Sequence, residues 1–212
     1  MIATVKRVFG FYSLPLYIMG RPFAGFYAMK YEHQGTMKIA FLNFALVCIS
    51  YAISDQYASI LANDAHPLQR NSLFGMMMIL GALLLFSIAN WSVTALTDGE
   101  GKLKDIIMAI CYAMTPLVLT IAPAAVISNF LSTDEMGLYH LLMAAGMIYF
   151  VVLVFAGLIT VHNYGAIKAL LTILLTFVAI LVIAFLISLL LTLWTQLFSF
   201  AYSVYTELMF RS

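Results

Sequence analysis

The sequence predicts an all-α polytopic membrane protein, a bundle of five transmembrane helices with an amphipathic segment at each end. The first observation is composition: 64% of the 212 residues are apolar and 9% are charged, whereas soluble domains average roughly 45–50% and about 25%. The second is that the apolar residues form long uncharged runs, long enough to cross roughly 30 Å of hydrocarbon. The third is that basic residues concentrate on one side of these runs.

The N-terminal interfacial segment, residues 1–35, mixes aromatic and basic side chains, a composition typical of helices in the headgroup layer. Pro15 and Pro22 predict one or two short in-plane helices, bent at these residues. A re-entrant hairpin that dips into the membrane is the alternative. Arg21 and both prolines interrupt the apolar stretch, and no small-residue cleavage site follows it, so we expect this segment to be retained rather than cleaved as a signal peptide.

The central domain, residues 36–196, contains the five spans. Uncharged runs predict them at about 38–54, 73–96, 106–131 and 136–161, with a fifth from residue 169. Polar segments separate them, and those at 97–105 and 162–168 are short. Pro116 and Pro123 each remove a backbone donor from the third span, which predicts a structural hinge there, close to Tyr112.

The fifth run contains no charged residue from Ala169 to Thr206. A straight helix of that length would measure roughly 57 Å at about 1.5 Å per residue, which exceeds the thickness of a bilayer. We therefore expect the chain to bend or leave the membrane at Trp194 and Gln196. Residues 197–212 would then form a C-terminal amphipathic tail.

The orientation follows from the basic residues, because cytoplasmic loops of membrane proteins carry an excess of them. With five spans, eight basic residues fall on the N-terminal side and two on the other side. The eight are Lys6, Arg7, Arg21, Lys30, Lys38, Lys102, Lys104 and Lys168, and the two are Arg70 and Arg211. We therefore expect the N-terminus in the cytoplasm and the C-terminus outside.

Enzyme, metal and cofactor chemistry find no support in the sequence. No G-x-S-x-G string occurs, and no carboxylate lies deep in spans two to five. Cys48 and Cys111 fall within spans and lack metal-ligand spacing. The four histidines are not spaced as ligands, and His140 and His162 fall at opposite ends of the fourth span. We expect His162 to cap that span at the cytoplasmic surface.

The charged loop at residues 97–105 and the turn at 162–168 are the candidate partner-binding segments. Asp98 and Gly99 favour a tight turn, and Asp105 is suited to capping the third span. Folding therefore explains part of the loop, while its two charge signs also suit a docking surface. The candidate partner-binding residues are Asp98, Glu100, Lys102, Lys104, Asp105, His162 and Tyr164.

Polar residues within the spans leave a second function open. Asn43, Asn90, Thr115 and Asn129 are of the kind that hydrogen-bond between helices. They are also of the kind that line a path for a neutral solute, so a small transporter or channel is one alternative. A membrane-shaping or trafficking-type protein that uses its two amphipathic ends is another.

Three stretches contain motifs in a distinctive order. The first is NWSVTALTDGEGKLKDIIMAICYAMTP, residues 90–116, with its glycine-containing loop, the lysines that open a helix, and Tyr112 four residues before Pro116. The second is the VHNYGAIK turn, residues 161–168, with His162, Tyr164 and Lys168. The third is the initial segment PFAGFYAMKYEHQGTMKIA, residues 22–40. Together they resemble the bacterial branch of the YIP-domain family of Ypt/Rab-interacting membrane proteins.

The resemblance covers nearly the whole chain and implies five spans with a cytoplasmic N-terminus. Eukaryotic members have a longer cytosolic N-terminal region and act with prenylated Rab GTPases, whereas the bacterial members accompany carbohydrate ABC importers. The resemblance therefore implies a non-catalytic accessory or scaffold protein in the bacterial inner membrane. Its implied partners are the lipid bilayer and the permease subunits of such an importer, with no nucleic acid and no cofactor.

Overall fold

The computed structural model describes residues 13–62 and 71–211, and within these ranges it is helical with no strand. This confirms the predicted all-α bundle. The helices in the described ranges are α1 Ser13–Gly20, α2 Pro22–Lys30, α3 Met37–Tyr57, α4 Ser72–Leu96, α5 Leu103–Ala113, α6 Thr115–Ser128, α7 Met136–His162 and α8 Ala166–Arg211. A 3₁₀ turn, Thr133–Glu135, precedes α7.

Five stretches among the described residues are long and apolar enough to cross a membrane. They are α3, α4, α5 together with α6, the 3₁₀ turn together with α7, and α8. Each coincides with a predicted span, and the first is longer than predicted because α3 begins at Met37 and continues to Tyr57. Hydropathy therefore located every span, which confirms the five-helix prediction.

The third span is broken at Met114, between α5 and α6. Pro116 is the second residue of α6 and has no N–H to offer the Tyr112 carbonyl oxygen one turn earlier. The Thr115 hydroxyl donates to that oxygen instead, at 2.7 Å. Asn43 of α3 in turn donates to Thr115 Oγ1 at 3.2 Å. The carbonyl that the proline leaves open is thus satisfied inside the bundle, as a membrane interior requires.

This broken span is the most buried of the five, and α5 packs against α1, α3, α4 and α7. Tyr112 is fully buried at its centre. The Tyr112 hydroxyl accepts the backbone N–H of Thr36 at 3.2 Å and lies 3.3 Å from the Thr36 carbonyl oxygen. Because Thr36 precedes α3, this side chain ties the start of the first span to the middle of the bundle.

The first two helices form a hairpin that lies along α7. Ile18 of α1 and Phe26 and Met29 of α2 are fully buried in the main core. Contacts of α7 with α2, and with Met19 at the end of α1, follow a nearly constant sequence offset, so α2 and α7 run side by side in the same direction. From the end of α7 towards its middle these contacts are Lys30 Nζ with the Val161 carbonyl at 2.7 Å, the Phe26 ring with Gly157, and the Met19 carbonyl with the Tyr149 hydroxyl.

The turn of this hairpin lies beside the middle of α7. Tyr149 is the middle residue of the 27-residue α7 and lies about 20 Å from His162 along the helix axis. Because Tyr149 contacts Met19, the turn at Gly20 and Arg21 is level with the centre of the span. This position favours the re-entrant hairpin given above as the alternative over in-plane helices, and the choice between the two stays a prediction. In a re-entrant hairpin, Arg21 would not lie with the other basic residues at the N-terminal side.

The last helix, α8, is antiparallel to α4 and longer than its neighbour. Asn90 Nδ2 donates to Thr176 Oγ1 at 3.1 Å, and the Phe86 and Phe177 ring centroids are 6.4 Å apart. Counting along both helices from this pair places Trp194 level with Ser72, the first residue of α4. Trp194, where the chain was predicted to leave the membrane, is thus level with the end of the neighbouring span. The chain does not bend there, because α8 continues without interruption to Arg211, roughly 25 Å further at about 1.5 Å per residue.

Candidate functional site

The loop between α4 and α5 turns tightly at Asp98. Asp98 adopts the left-handed conformation, with φ 55°, a region that aspartate enters more readily than most residues. The Gly99 N–H donates to the Thr94 carbonyl at 2.8 Å, which satisfies one of the open carbonyls at the end of α4. The tight turn predicted at Asp98 and Gly99 is confirmed.

Both glycines of this loop lie directly against the turn that follows α7. A methyl group on Gly99 would fall 2.7 Å from the Tyr164 hydroxyl oxygen and 2.8 Å from His162 Nδ1. On Gly101 it would fall 2.6 Å from His162 Cε1 and 2.7 Å from Val161 Cγ1. Carbon atoms in ordinary contact are about 3.5–4.0 Å apart. The glycines are therefore needed because the loop backbone covers the His162 ring.

His162 is buried, with 1% of its surface exposed. The Gly101 N–H donates to Nδ1 at 3.3 Å, and Nε2 lies 3.1 Å from Asn90 Oδ1. Since Nδ1 accepts, Nε2 carries the ring hydrogen and donates to Asn90, which is the arrangement of a neutral imidazole. Asn90 extends the chain of bonds to Thr176 of α8. The prediction that His162 caps α7 at the surface is wrong, because the loop encloses the ring and Asn163 forms the helix C-cap instead.

Tyr164 joins the same loop from the other side of the turn. Its hydroxyl donates to the Thr97 carbonyl at 3.0 Å and lies 2.9 Å from Thr97 Oγ1. Its ring stacks on His162, with centroids 5.4 Å apart. The Lys168 ammonium lies over the Tyr164 ring, 4.4 Å from its centroid, at a distance typical of a cation–π contact.

Glu100 connects the loop to the end of the re-entrant hairpin. Its carboxylate accepts from the Tyr31 hydroxyl and from Asn163 Nδ2, both at 3.1 Å, and lies 3.6 Å from Lys30 Nζ. The hydrogen bonds from Asn163 and Tyr31, together with the Lys30 charge, hold the pKa of Glu100 below its usual value. Lys30 also donates to the Val161 carbonyl, so it links α2, α7 and the loop.

These contacts join three stretches far apart in sequence, namely the Lys30–Tyr31 pair, loop 97–102 and turn 162–164. We call this set the loop–turn cluster. A family model described as the Yip1 domain matches residues 16–189, which is more than half of the chain. The chain belongs to the Yip1 domain family. No curated protein and no solved structure matches it. The match runs from within α1 to about the middle of α8 and includes every residue of the loop–turn cluster.

Three exposed charged residues of this Yip1 domain lie at the rim of the cluster. Asp98, Lys102 and Lys104 are exposed. Asp105 belongs to the first turn of α5, where its carboxylate accepts the Lys102 N–H at 3.2 Å. The predicted capping role of Asp105 is confirmed. Of the charged candidates, Glu100 and Asp105 therefore hold the loop in place, while the other three present charge to the surroundings.

The three residues predicted to form a hinge have different surroundings in the Yip1 domain. Pro116 accounts for the break at Met114, and Tyr112 is held by Thr36 as described above. Pro123 lies inside α6 without interrupting it. A movement of α6 relative to α5 stays a prediction, with Met114 as its pivot.

The polar residues proposed to line a solute path fall into separate groups. Asn43 and Thr115 bond to each other in the bundle centre. Asn90 belongs to the His162 network. Asn129 lies near the opposite end, where its amide donates to the Tyr57 carbonyl at 2.8 Å. The structure therefore places these side chains in helix-to-helix contacts at three locations and does not align them along one path.

The partners of Glu100, namely Lys30, Tyr31 and Asn163, were not predicted from the sequence. No local pattern could have identified them, because the pairing depends on where the hairpin docks. Within the described residues, no group of three or more His, Cys, Asp or Glu side chains converges in a way that could hold a metal ion. His66, one of the four histidines considered, lies outside the described residues.

Proposed function

We propose that this Yip1-domain protein is a non-catalytic accessory or scaffold subunit of the bacterial inner membrane, associated with the permease of a carbohydrate ABC importer. The loop–turn cluster would be its docking surface in the cytoplasm. The N-terminus would lie in the cytoplasm and the C-terminus outside, as the distribution of basic residues predicts.

The loop–turn cluster is the observation on which the proposal depends. Its base is fixed by the buried His162 network and by the contacts of Glu100 with Lys30, Tyr31 and Asn163. Its rim carries Lys102, Lys104 and Asp98 in exposed positions. A charged rim on a preorganised base loses little conformational freedom on binding, which favours association with a protein surface of complementary charge.

The membrane-embedded part supports a role in packing against other proteins. Its buried polar side chains form hydrogen bonds between the protein's own helices, such as Asn90 with Thr176 and Asn43 with Thr115. The flanks of α4, α7 and α8 are apolar and exposed over most of their length. Such surfaces can contact either lipid or the spans of a permease. The choice of a carbohydrate importer comes from the resemblance to bacterial members of the family described above.

Affinity purification of the tagged full chain in mild detergent tests the proposal. We expect the permease and the ATPase of a carbohydrate importer to be recovered with it. Recovery of the protein alone, from an extract in which the importer itself remains assembled, would contradict the proposed association.

Charge reversal at the rim tests the docking surface. Lys102→Glu combined with Lys104→Glu should reduce recovery of the importer at least tenfold, because both side chains are exposed and have no structural role among the described contacts. Lys38→Glu is the matched control, since Lys38 is an exposed lysine at the start of α3, outside the cluster. Equal recovery with the double variant would show that the cluster is not the docking surface.

A further inference from the structure

Arg21 occupies an unusual position for a charged residue of a membrane protein. It connects α1 to α2 at the tip of the re-entrant hairpin, where its N–H donates to the Tyr17 carbonyl and its carbonyl accepts the Gly25 N–H, both at 2.8 Å. The contact between Met19 and Tyr149 places this tip level with the middle of α7. Arg21 is exposed, and a methyl group on the neighbouring Gly20 would meet no atom within 4 Å. Its side chain therefore faces the surroundings of the bundle beside the middle of α7, which is the depth of the bilayer centre in a membrane that α7 spans.

A guanidinium is costly at this depth unless it is paired, so intramembrane arginines are found beside an opposite charge or a water-filled cavity. Within the described residues, no hydrogen bond or ion pair joins the Arg21 side chain to another group. Eight of the nine acidic residues are described, and all lie in loops, near helix ends or beyond the level of Trp194. They are Glu32, Asp55, Asp98, Glu100, Asp105, Asp134, Glu135 and Glu207.

Asp64, the ninth acidic residue, lies outside the described residues, and residues 1–12 contain no acidic residue. Among the residues that the structure describes, no carboxylate therefore lies at the level of Arg21.

We propose that Arg21 is the docking point for a transmembrane helix of a partner protein that carries an aspartate or glutamate at the middle of the bilayer. This inference rests on the proposed function, since it names the chemistry by which a membrane partner would recognise this protein. A carboxylate matches the guanidinium in charge and in its two-pronged geometry. Exposed Phe23 and Tyr27, one turn apart on α2, and Tyr17 on α1 provide apolar surface beside it for the flanks of such a helix.

The depth of Arg21 in the bilayer favours a transmembrane helix over an anionic lipid as its binding partner. The phosphate of a lipid lies outside a hydrocarbon core that is roughly 30 Å thick, hence about 15 Å from its centre, which is farther than one arginine side chain extends. A carboxylate reaches the centre only on a membrane-spanning segment. In the pair, each charge removes the cost of leaving the other unpaired.

A synthetic peptide tests this inference without any natural partner. The purified full chain is reconstituted in vesicles of neutral phospholipid together with a labelled, leucine-rich transmembrane peptide that has one aspartate at its centre. Energy transfer from the protein to the peptide measures association, at a peptide density where the peptide alone is monomeric. We expect the central-aspartate peptide to bind at least tenfold more tightly than the same peptide with asparagine at the centre or with the aspartate moved two turns towards one end.

Arg21→Gln should abolish this preference and Arg21→Lys should retain part of it, while Lys38→Gln, which removes an exposed charge at the start of α3, should leave it unchanged. Protection of buried Cys111 from a thiol-reactive dye verifies that each variant is folded. Equal binding of aspartate and asparagine peptides, or an aspartate preference that survives Arg21→Gln, would overturn the inference. So would a labelled anionic lipid that associates with Arg21 in place of the peptide. The vesicles contain no importer. Failure of the peptide to bind is therefore a separate result from failure to recover a permease by affinity purification.

Discussion

Gly101→Ala is the most direct test of the loop–turn cluster, because it adds one methyl group at the place where the loop covers His162. The methyl would fall 2.6 Å from His162 Cε1 and 2.7 Å from Val161 Cγ1, nearly 1 Å inside ordinary carbon contact distances of about 3.5–4.0 Å. Gly101 does not have a positive φ, so alanine suits its backbone and the whole effect is steric.

The His162 ring has little room to yield. It is enclosed on all sides and is held at both nitrogens, by the Gly101 N–H and by Asn90. Displacing the ring breaks these bonds, and displacing the loop breaks the bond to Nδ1. Overpacking of a well-packed site costs about 1–3 kcal/mol. We therefore expect Gly101→Ala to lower the free energy of unfolding by about 1–3 kcal/mol.

The chain contains its own reporter for this measurement. Cys111 is buried in the centre of the bundle, so in a Cys48→Ala background a thiol-reactive dye labels the protein only as it unfolds. An SDS titration followed in this way gives the free energy for each variant. Gly165→Ala is the matched control, because Gly165 directly follows the cluster and a methyl there meets no atom within 4 Å. Its effect should stay within about 0.5 kcal/mol. Equal stability of Gly101→Ala and the parent protein would refute the close packing of loop on turn.

Three further outcomes are expected. Asn90→Leu, assayed in the same titration, should lower the free energy of unfolding by about 1–2 kcal/mol, because it removes the bonds to both His162 and Thr176; no change would mean that the network is not formed in the membrane. Tyr112→Phe should cost about 0.6 kcal/mol, the average for a hydrogen bond within a membrane bundle, and hydrogen exchange at the start of α3 should rise, whereas unchanged protection there would contradict the anchoring role. The pKa of Glu100 is lowered in the folded state, so the stability that Glu100 contributes is complete above its unfolded pKa and is lost as pH falls through its folded pKa. Thermal melts of Glu100→Gln should lack this loss of stability at acid pH. Identical pH profiles of the variant and the parent protein would argue against this contribution.

The spans could be predicted because hydropathy reports a local property. Each of the five predicted runs is apolar over the length of a bilayer, whatever it packs against, and each is helical, the third with a break at Met114. The break near Pro116 was equally local, since a missing backbone donor acts within one turn. The bond from Thr115 to the Tyr112 carbonyl repairs it from the adjacent residue.

The hairpin and the cluster could not be predicted, since both depend on contacts between distant residues. Mixed aromatic and basic side chains suit a helix in the headgroup layer as well as a re-entrant helix. Only the docking of α2 on α7 favours the re-entrant arrangement. His162 resembled a surface residue because it ends a span and precedes polar Asn163. It is buried because two glycines some sixty residues earlier let a loop close over it.

The side-by-side packing of α2 on α7 has a consequence for biosynthesis. Lys30 and its acceptor Val161 are 131 residues apart, and ribosomes add about 5–20 residues per second. The hairpin therefore emerges roughly 7–26 s before the helix against which it rests. During that interval the hairpin lacks the α7 surface around Gly157 against which the Phe26 ring packs in the finished protein.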